Sequence, residues 1–144
     1  MRRLGLALLL LTVWLVPASA QYNPQAVFQT CPNTTAISQT ANAQLITGTA
    51  GRKTYLCGLV VGAADLESLS LVGGTGTTCA TGTYAIVGGT AASTGFTLVA
   101  NTTVFFWSNT VSLPPPAAAT TGDHVCLLQS GSQRVAGVVT WVQY

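Results

Sequence analysis

Short apolar or alternating runs follow one another along most of the chain and predict β-strands. The clearest run, residues 53–61 (KTYLCGLVV), is apolar on both faces, which is typical of a central strand covered on both sides. Residues 62–65 are predicted to turn the chain into a second strand at residues 67–72. There the leucines are expected to face the core and the serines to face solvent. A helix over residues 63–71 is the competing interpretation.

The rest of the chain after residue 30 repeats this pattern at shorter length. A Gly/Thr-rich loop is predicted at residues 73–83, an exposed triproline connection within residues 108–121, and a terminal hairpin that turns at residues 130–132. The further predicted strands are residues 36–38, 44–47, 84–87, 96–100, 102–107, 124–129 and 135–144.

These elements predict the fold class. No amphipathic helical stretch follows the N-terminal region, and about eight short strands separated by Gly/Thr turns are typical of an all-β, antiparallel β-sandwich. We expect one domain over residues 21–144, an eight-stranded jelly roll with an extended N-terminal arm at about residues 21–34, where Pro24 blocks regular structure. An immunoglobulin-like sandwich is the alternative, but its Cys…Trp…Cys signature is missing.

The N-terminus predicts export. Two arginines precede a 13-residue apolar run at residues 4–16, and Ala-Ser-Ala at residues 18–20 is a cleavage signal. The run is too short to span about 30 Å of hydrocarbon as a helix, which disfavours a membrane anchor. We expect a signal peptide at residues 1–20, cleaved after Ala20, and a secreted or periplasmic protein without stable membrane insertion.

Charge narrows the possible partners. The formal net charge of +2 comes from the two arginines of the signal peptide, because residues 21–144 carry three basic and three acidic side chains. A neutral, charge-poor chain lacks the basic footprint that nucleic acids and anionic membranes require. It also lacks the charge that keeps proteins apart, so the sequence predicts a homo-oligomer.

The sequence contains four cysteines, Cys31, Cys57, Cys79 and Cys126. An even number of cysteines in an exported protein predicts disulfides, here two. They contain no close pair of the kind that binds metal. The favoured pairing is Cys57–Cys79 with Cys31–Cys126, because the first bond closes a strand, its neighbour and the returning loop. Cys57–Cys126 with Cys31–Cys79 is the alternative, if a jelly roll places those two strands side by side.

Several blocks carry a resemblance to a known group of proteins. They are Cys31-Pro-Asn-Thr-Thr-Ala-Ile-Ser, Tyr55-Leu-Cys-Gly, Gly74-Thr-Gly-Thr-Thr-Cys-Ala-Thr-Gly-Thr83, Gly122-Asp-His-Val-Cys-Leu and Gly137-Val-Val-Thr-Trp-Val-Gln-Tyr144. With these blocks the chain resembles small four-cysteine β-sandwich proteins of bacterial and tailed-phage genomes. The resemblance implies a compact exported or particle-surface protein and assigns no catalytic residue.

The candidate chemistry is sparse. His124 is the only histidine, and the adjacent Asp123 would point to the opposite strand face, so the two do not form a His–Asp pair. No serine lies in a G-x-S-x-G motif, and the Gly-rich loop lacks the Gly-Lys-Ser/Thr ending of a phosphate site. Asp65 and Glu67 are interpreted as solvated turn residues. We therefore predict no catalytic residue, no metal and no cofactor.

The aromatic residues provide the remaining candidates. Trp107, Trp141, Tyr84 and Tyr144 could stack on sugar rings, although packing in the core is the competing role, especially for the two tryptophans. The predicted function is an exported, non-enzymatic structural protein or a surface- or particle-associated binding protein. A carbohydrate-binding module is the second hypothesis and a hydrolase the third. An aligned row of exposed aromatics would favour sugar binding, and a flat apolar patch would favour assembly.

Overall fold

The computed structural model describes residues 31–106 and 121–144, which form nine β-strands and one short 3₁₀ turn (Ala92–Thr94). The predicted signal peptide, most of the predicted arm, Trp107 and the triproline connection lie outside the described residues. The strands are β1 (Asn33–Gln39), β2 (Ala43–Ile46), β3 (Thr54–Ala63), β4 (Glu67–Thr75), β5 (Thr81–Val87), β6 (Phe96–Leu98), β7 (Thr103–Phe106), β8 (His124–Gln129) and β9 (Val135–Gln143).

The strands form two antiparallel sheets. The four-stranded sheet has the order β1-β9-β3-β7, and the five-stranded sheet has the order β2-β8-β4-β5, with β6 also paired to β4. The predicted all-β antiparallel sandwich is confirmed. The competing helix over residues 63–71 is wrong, because that segment ends β3 and begins β4.

The pairings are nested along the chain. β1 pairs with β9, β2 with β8, β3 with β7, and β4 with β5 and β6. Two more pairings, β3 with β9 and β4 with β8, complete the sheets. β8 and β9, although consecutive, lie in different sheets. The predicted terminal hairpin is wrong, because residues 130–134 carry the chain from one sheet to the other.

The core fills the space between the sheets with aliphatic side chains. From β3, Leu56, Leu59 and Val61 face inward and are about 1% exposed or less. The register of β3 against β9 shifts between Leu56 and Gly58, which makes Cys57 the extra residue of a β-bulge. Burial of each such side chain stabilises the fold by about 1.5–3 kcal/mol. Other core residues include Ile37, Ile46, Leu69, Leu71, Leu98, Val125, Leu127, Val135 and Val139.

β4 and the segment that follows it differ from their predictions in two ways. Most of the predicted loop at residues 73–83 is a hairpin, since β4 continues to Thr75 and β5 begins at Thr81. Ser70, expected to face solvent, is completely buried and donates a hydrogen bond to the Ala91 carbonyl oxygen at 2.8 Å. A loop covers this part of β4 closely, and Gly95 permits that approach because a Cβ there would overlap the Leu69 backbone.

Each disulfide joins a cysteine in a strand to a cysteine in a segment that flanks a strand of the same sheet. Cys31 bonds to Cys57, with Cα atoms 6.3 Å apart, and Cys79 bonds to Cys126, with Cα atoms 6.0 Å apart. Both predicted pairings are therefore wrong. Cys31 precedes β1, in the same sheet as β3, whereas Cys126 lies opposite Val72 in the β4–β8 pair. The bonds indicate an oxidising compartment, as expected for an extracellular or periplasmic protein.

Candidate functional site

The central part of the solvent-facing side of the four-stranded sheet, here called the outer face, carries small, hydroxyl or apolar residues. Alternation and register place there the side chains, or glycine Cα atoms, of Thr34, Ala36, Ser38, Ala136, Val138, Thr140, Gly58, Val60, Gly62, Thr103 and Phe105. None of these residues is charged. A solvent-facing sheet normally carries polar or charged side chains, so this composition needs an explanation.

One straight apolar row crosses all four strands of the outer face. Ala36 is opposite Val138, Val138 is opposite Val60, and Val60 is opposite Phe105. Phe105 is 73% exposed. A large, solvent-facing aromatic at the end of such a row is a strong signal for contact with another surface.

The size of the outer face can be estimated from sheet geometry. Four strands about 4.8 Å apart that average about seven residues in length, at about 3.3 Å per residue, cover roughly 440 Å². This area includes the hydroxyl side chains of Thr34, Ser38, Thr103 and Thr140, so its apolar part is smaller. The largest apolar patches of typical monomers cover about 300–600 Å² and are often functional, and the whole outer face has an area of that order.

A shallow groove of about 610 Å³ adjoins this face. Its walls include Val60, Gly62 and Ala136, together with polar side chains of Asn101 and Arg134. The Arg134 guanidinium donates a hydrogen bond to Ser38 Oγ at 3.2 Å. The Arg134 cation is thus at the margin of the outer face, tied to the end of β1.

The predicted stacking residues are not brought together. The Trp141 side chain is half-buried against the core, and its indole N–H donates to Thr35 Oγ1 at 2.9 Å. Tyr84 lies in the other sheet, where its ring covers Gly73 of the neighbouring strand. Tyr144 is 56% exposed and contacts Tyr55 with ring centroids 6.0 Å apart. These three side chains form no aligned row.

Glu67 differs most from its prediction. The interpretation as a solvated turn residue is wrong, because this side chain is 1% exposed at the start of β4. Its Oε1 accepts hydrogen bonds from the Ser130 hydroxyl and the Gly131 N–H, both at 2.6 Å, and its Oε2 accepts one from the Gln133 N–H at 3.4 Å. The carboxylate therefore fixes the β8–β9 connection to β4.

These contacts also set the protonation of Glu67. Burial raises the pKa of the Glu67 carboxyl, but the hydrogen bonds from the Ser130 hydroxyl and from nearby backbone N–H groups lower it by more. The pKa consequently lies below its ordinary value of 4.5. Hydrogen-bond donors, rather than a cation, stabilise the buried charge.

The one histidine has a structural contact. His124 Nδ1 accepts a hydrogen bond from the Gly48 N–H at 2.9 Å, which ties the segment after β2 to the start of β8. Within residues 31–106 and 121–144, no three His, Cys, Asp or Glu side chains are grouped so that they could hold a metal ion. In the same part of the chain, no helix is long and apolar enough to cross a membrane.

Comparisons with known proteins add no assignment: the chain matches no protein-family model, no curated protein and no solved structure. The resemblance to small four-cysteine proteins of bacterial and phage genomes stays an expectation.

The outer face was not identified from sequence, because only the strand pairing brings Ala36, Val138, Val60 and Phe105 into one row. The available signal was the apolar character of both faces of residues 53–61, which was interpreted as burial on both sides.

Proposed function

We propose that this protein is an exported, disulfide-stabilised structural protein without enzymatic activity, which associates with copies of itself through the outer face. The observation that carries the proposal is the uncharged apolar row that ends at the exposed Phe105. Burying apolar surface against a second copy removes it from water, at about 25 cal/mol per Å². Few charges oppose this contact, since residues 21–144 contain only three of each sign.

The architecture supports a particle or surface role. We infer that the sandwich is a jelly roll. In that fold a long antiparallel hairpin of nested strand pairs folds over into two sheets, and here the additional pairs β9–β3 and β8–β4 close those sheets. Jelly rolls occur in capsid and lectin domains. Of these two uses, the uncharged outer face fits an assembling subunit better than the dispersed aromatics fit a lectin.

The expected strength of the contact follows from its area. Two outer faces of roughly 440 Å² each would bury about 900 Å² in total, which is below the 1,200–2,000 Å² of stable interfaces. A complex held by one face alone is therefore weak, and assembly should depend on concentration. Analytical ultracentrifugation of the mature protein from about 1 to 500 µM is expected to show mass increasing with concentration.

A matched pair of variants tests the role of the outer face. Phe105→Lys places a charge in the apolar row and should weaken association through the outer face at least about ten-fold. Leu66→Lys is the control, since Leu66 is 64% exposed but lies in the turn between β3 and β4. Association that is equally affected by both changes, or by neither, would contradict the proposal.

Export is tested separately. The proposal requires that the secreted protein begin at Gln21, after removal of the signal peptide, and that it contain two disulfides. Intact-mass measurement of the exported form, before and after reduction and alkylation, gives both results. A chain that keeps residues 1–20 in a membrane fraction would overturn this part of the proposal.

A further inference from the structure

β1 is an unusually open edge strand. It pairs with β9 on one side, and no strand of the described residues pairs with its other side. Its seven residues run in unbroken register and contain no charge and no proline. Natural edge strands are normally protected by charged side chains, prolines, bulges or short length. β1 has none of these protections.

β2 and β5, two edge strands of the other sheet, do have such protections. β2 is only four residues long and has a register shift. β5 has two register shifts against β4. In antiparallel pairing, alternate residues direct both N–H and C=O away from the partner strand. About three or four residues of β1 therefore offer backbone groups to a further strand.

β1 is also complementary to itself. If two copies pair antiparallel about Ala36, then Thr34 lies opposite Ser38 of the second copy, and Asn33 lies opposite its Gln39. Each pair joins residues of the same face, so the core-facing and solvent-facing sides continue across the junction. A two-fold axis through Ala36 thus closes the pair without a register conflict.

Such pairing extends the apolar row without a break. The row Phe105–Val60–Val138–Ala36 would meet its own symmetry mate at Ala36, because these residues already lie in register across the sheet. The outer face would double from roughly 440 to about 900 Å² per unit. Two such units stacked face to face would bury about 1,800 Å², which lies within the range of stable interfaces.

We propose that a second copy of this chain adds to β1 by antiparallel strand pairing about Ala36, forming a continuous eight-stranded sheet. The proposal rests on the proposed function and specifies its first step: edge pairing produces the dimer whose doubled outer face then stacks. The Cys31–Cys57 disulfide supports this role, since it anchors the chain just before β1 to β3 of the same sheet. The edge strand is thereby held in place, and no described strand pairs with its outer backbone groups.

Charge placed across the two-fold axis tests this arrangement. Thr34 and Ser38 are both exposed. In the double variant Thr34→Lys with Ser38→Lys, each lysine faces a lysine of the second copy, and like charges directly opposite destabilise a strand pair. In Thr34→Lys with Ser38→Glu, each lysine faces a glutamate. We expect the dimer dissociation constant to rise at least ten-fold in the first variant and to stay within about three-fold of wild type in the second.

Phe105→Lys separates edge pairing from face stacking. Because Phe105 lies on β7, at the opposite edge of the sheet, this variant should still form dimers and lose only larger assemblies. Sedimentation of all forms, with thermal unfolding as a check on folding, gives the result. If Phe105→Lys is monomeric, edge pairing is wrong and association through the outer face remains. If the wild-type mature protein is monomeric at every concentration, both proposals fail.

Discussion

The buried carboxylate of Glu67 offers the sharpest test of how the two sheets are held together. Replacing it by glutamine keeps the size and shape of the side chain but removes the charge. The carbonyl oxygen of glutamine can still accept the bonds from Ser130 and Gly131. Its NH₂ group, however, would occupy the place of Oε2 and face the Gln133 N–H, so that two donors meet.

The expected loss follows from the change in these bonds. Hydrogen bonds to a charged group contribute about 1.5–3 kcal/mol each, and neutral ones about 0.5–1.5 kcal/mol. Two short bonds that become neutral therefore cost about 2 kcal/mol, and the donor–donor contact adds to this cost. Glu67→Gln should lower the free energy of unfolding at pH 7 by about 2–3 kcal/mol, a large part of the 5–15 kcal/mol of a typical domain.

The pH dependence has a definite sign. The folded-state pKa of Glu67 lies below its ordinary value of 4.5, so its contribution is complete above that value and is lost as the pH falls through the folded-state pKa. Glutamine does not titrate. The difference in unfolding free energy between wild type and Glu67→Gln should thus be constant near neutral pH and shrink in acid.

Denaturant unfolding of both proteins between pH 7 and pH 3 measures this difference. Asp65→Asn is the matched control, because Asp65 is exposed and its Oδ1 accepts only from the adjacent Leu66 N–H. That change should alter stability by less than about 0.5 kcal/mol. Equal stability of Glu67→Gln and wild type at pH 7, or a difference that does not shrink in acid, would contradict this role of the Glu67 charge.

Three further predictions concern stability and covalent structure. Non-reducing peptide mapping should show a Cys79–Cys126 link, and a peptide linking either cysteine elsewhere would contradict the pairing. Replacing both residues by alanine should lower the free energy of unfolding by about 4 kcal/mol, because the bond no longer restricts the loop that it closes in the unfolded chain. Gly73→Ala should destabilise by about 1–3 kcal/mol, because its Cβ would overlap the Tyr84 ring, and Tyr84→Ala in the same chain should recover part of the loss. Trp141→Phe should cost about 1 kcal/mol by removing the indole hydrogen bond, as measured by denaturant unfolding.

Local pattern was sufficient to predict strands but not their partners. The apolar runs at β3, β8 and β9 identified all three, because a short run of apolar and β-branched residues is a signal that depends only on neighbouring residues. The turn at residues 130–132 suits a hairpin and a connection between sheets equally well. The difference lies in the strand partners, since β8 pairs with β4 and β9 pairs with β1 and β3. Glu67, 63 residues before Ser130, accepts the Ser130 hydroxyl bond and holds this connection in place.

Dependence on residues far apart in sequence also explains the other wrong predictions. Ser70 alternates as a solvent-facing residue, but its partner is the carbonyl of Ala91 in a loop that covers β4. The cysteine pairing depends on which strands share a sheet, and spacing along the chain does not carry that information. The outer face was missed for a related reason, since its row exists only when four separate strands are in register.

The nested order of the strands has a consequence for how quickly the protein folds. β1 pairs with β9 over its whole length, so that even the nearest partners, Gln39 and Val135, are 96 residues apart in sequence. Contacts of such long range require large loops to close before they contribute, which slows folding. β9 also lies between β1 and β3, so these two strands cannot belong to one sheet until β9 has been synthesised. The four-stranded sheet therefore cannot form before β9 has been synthesised.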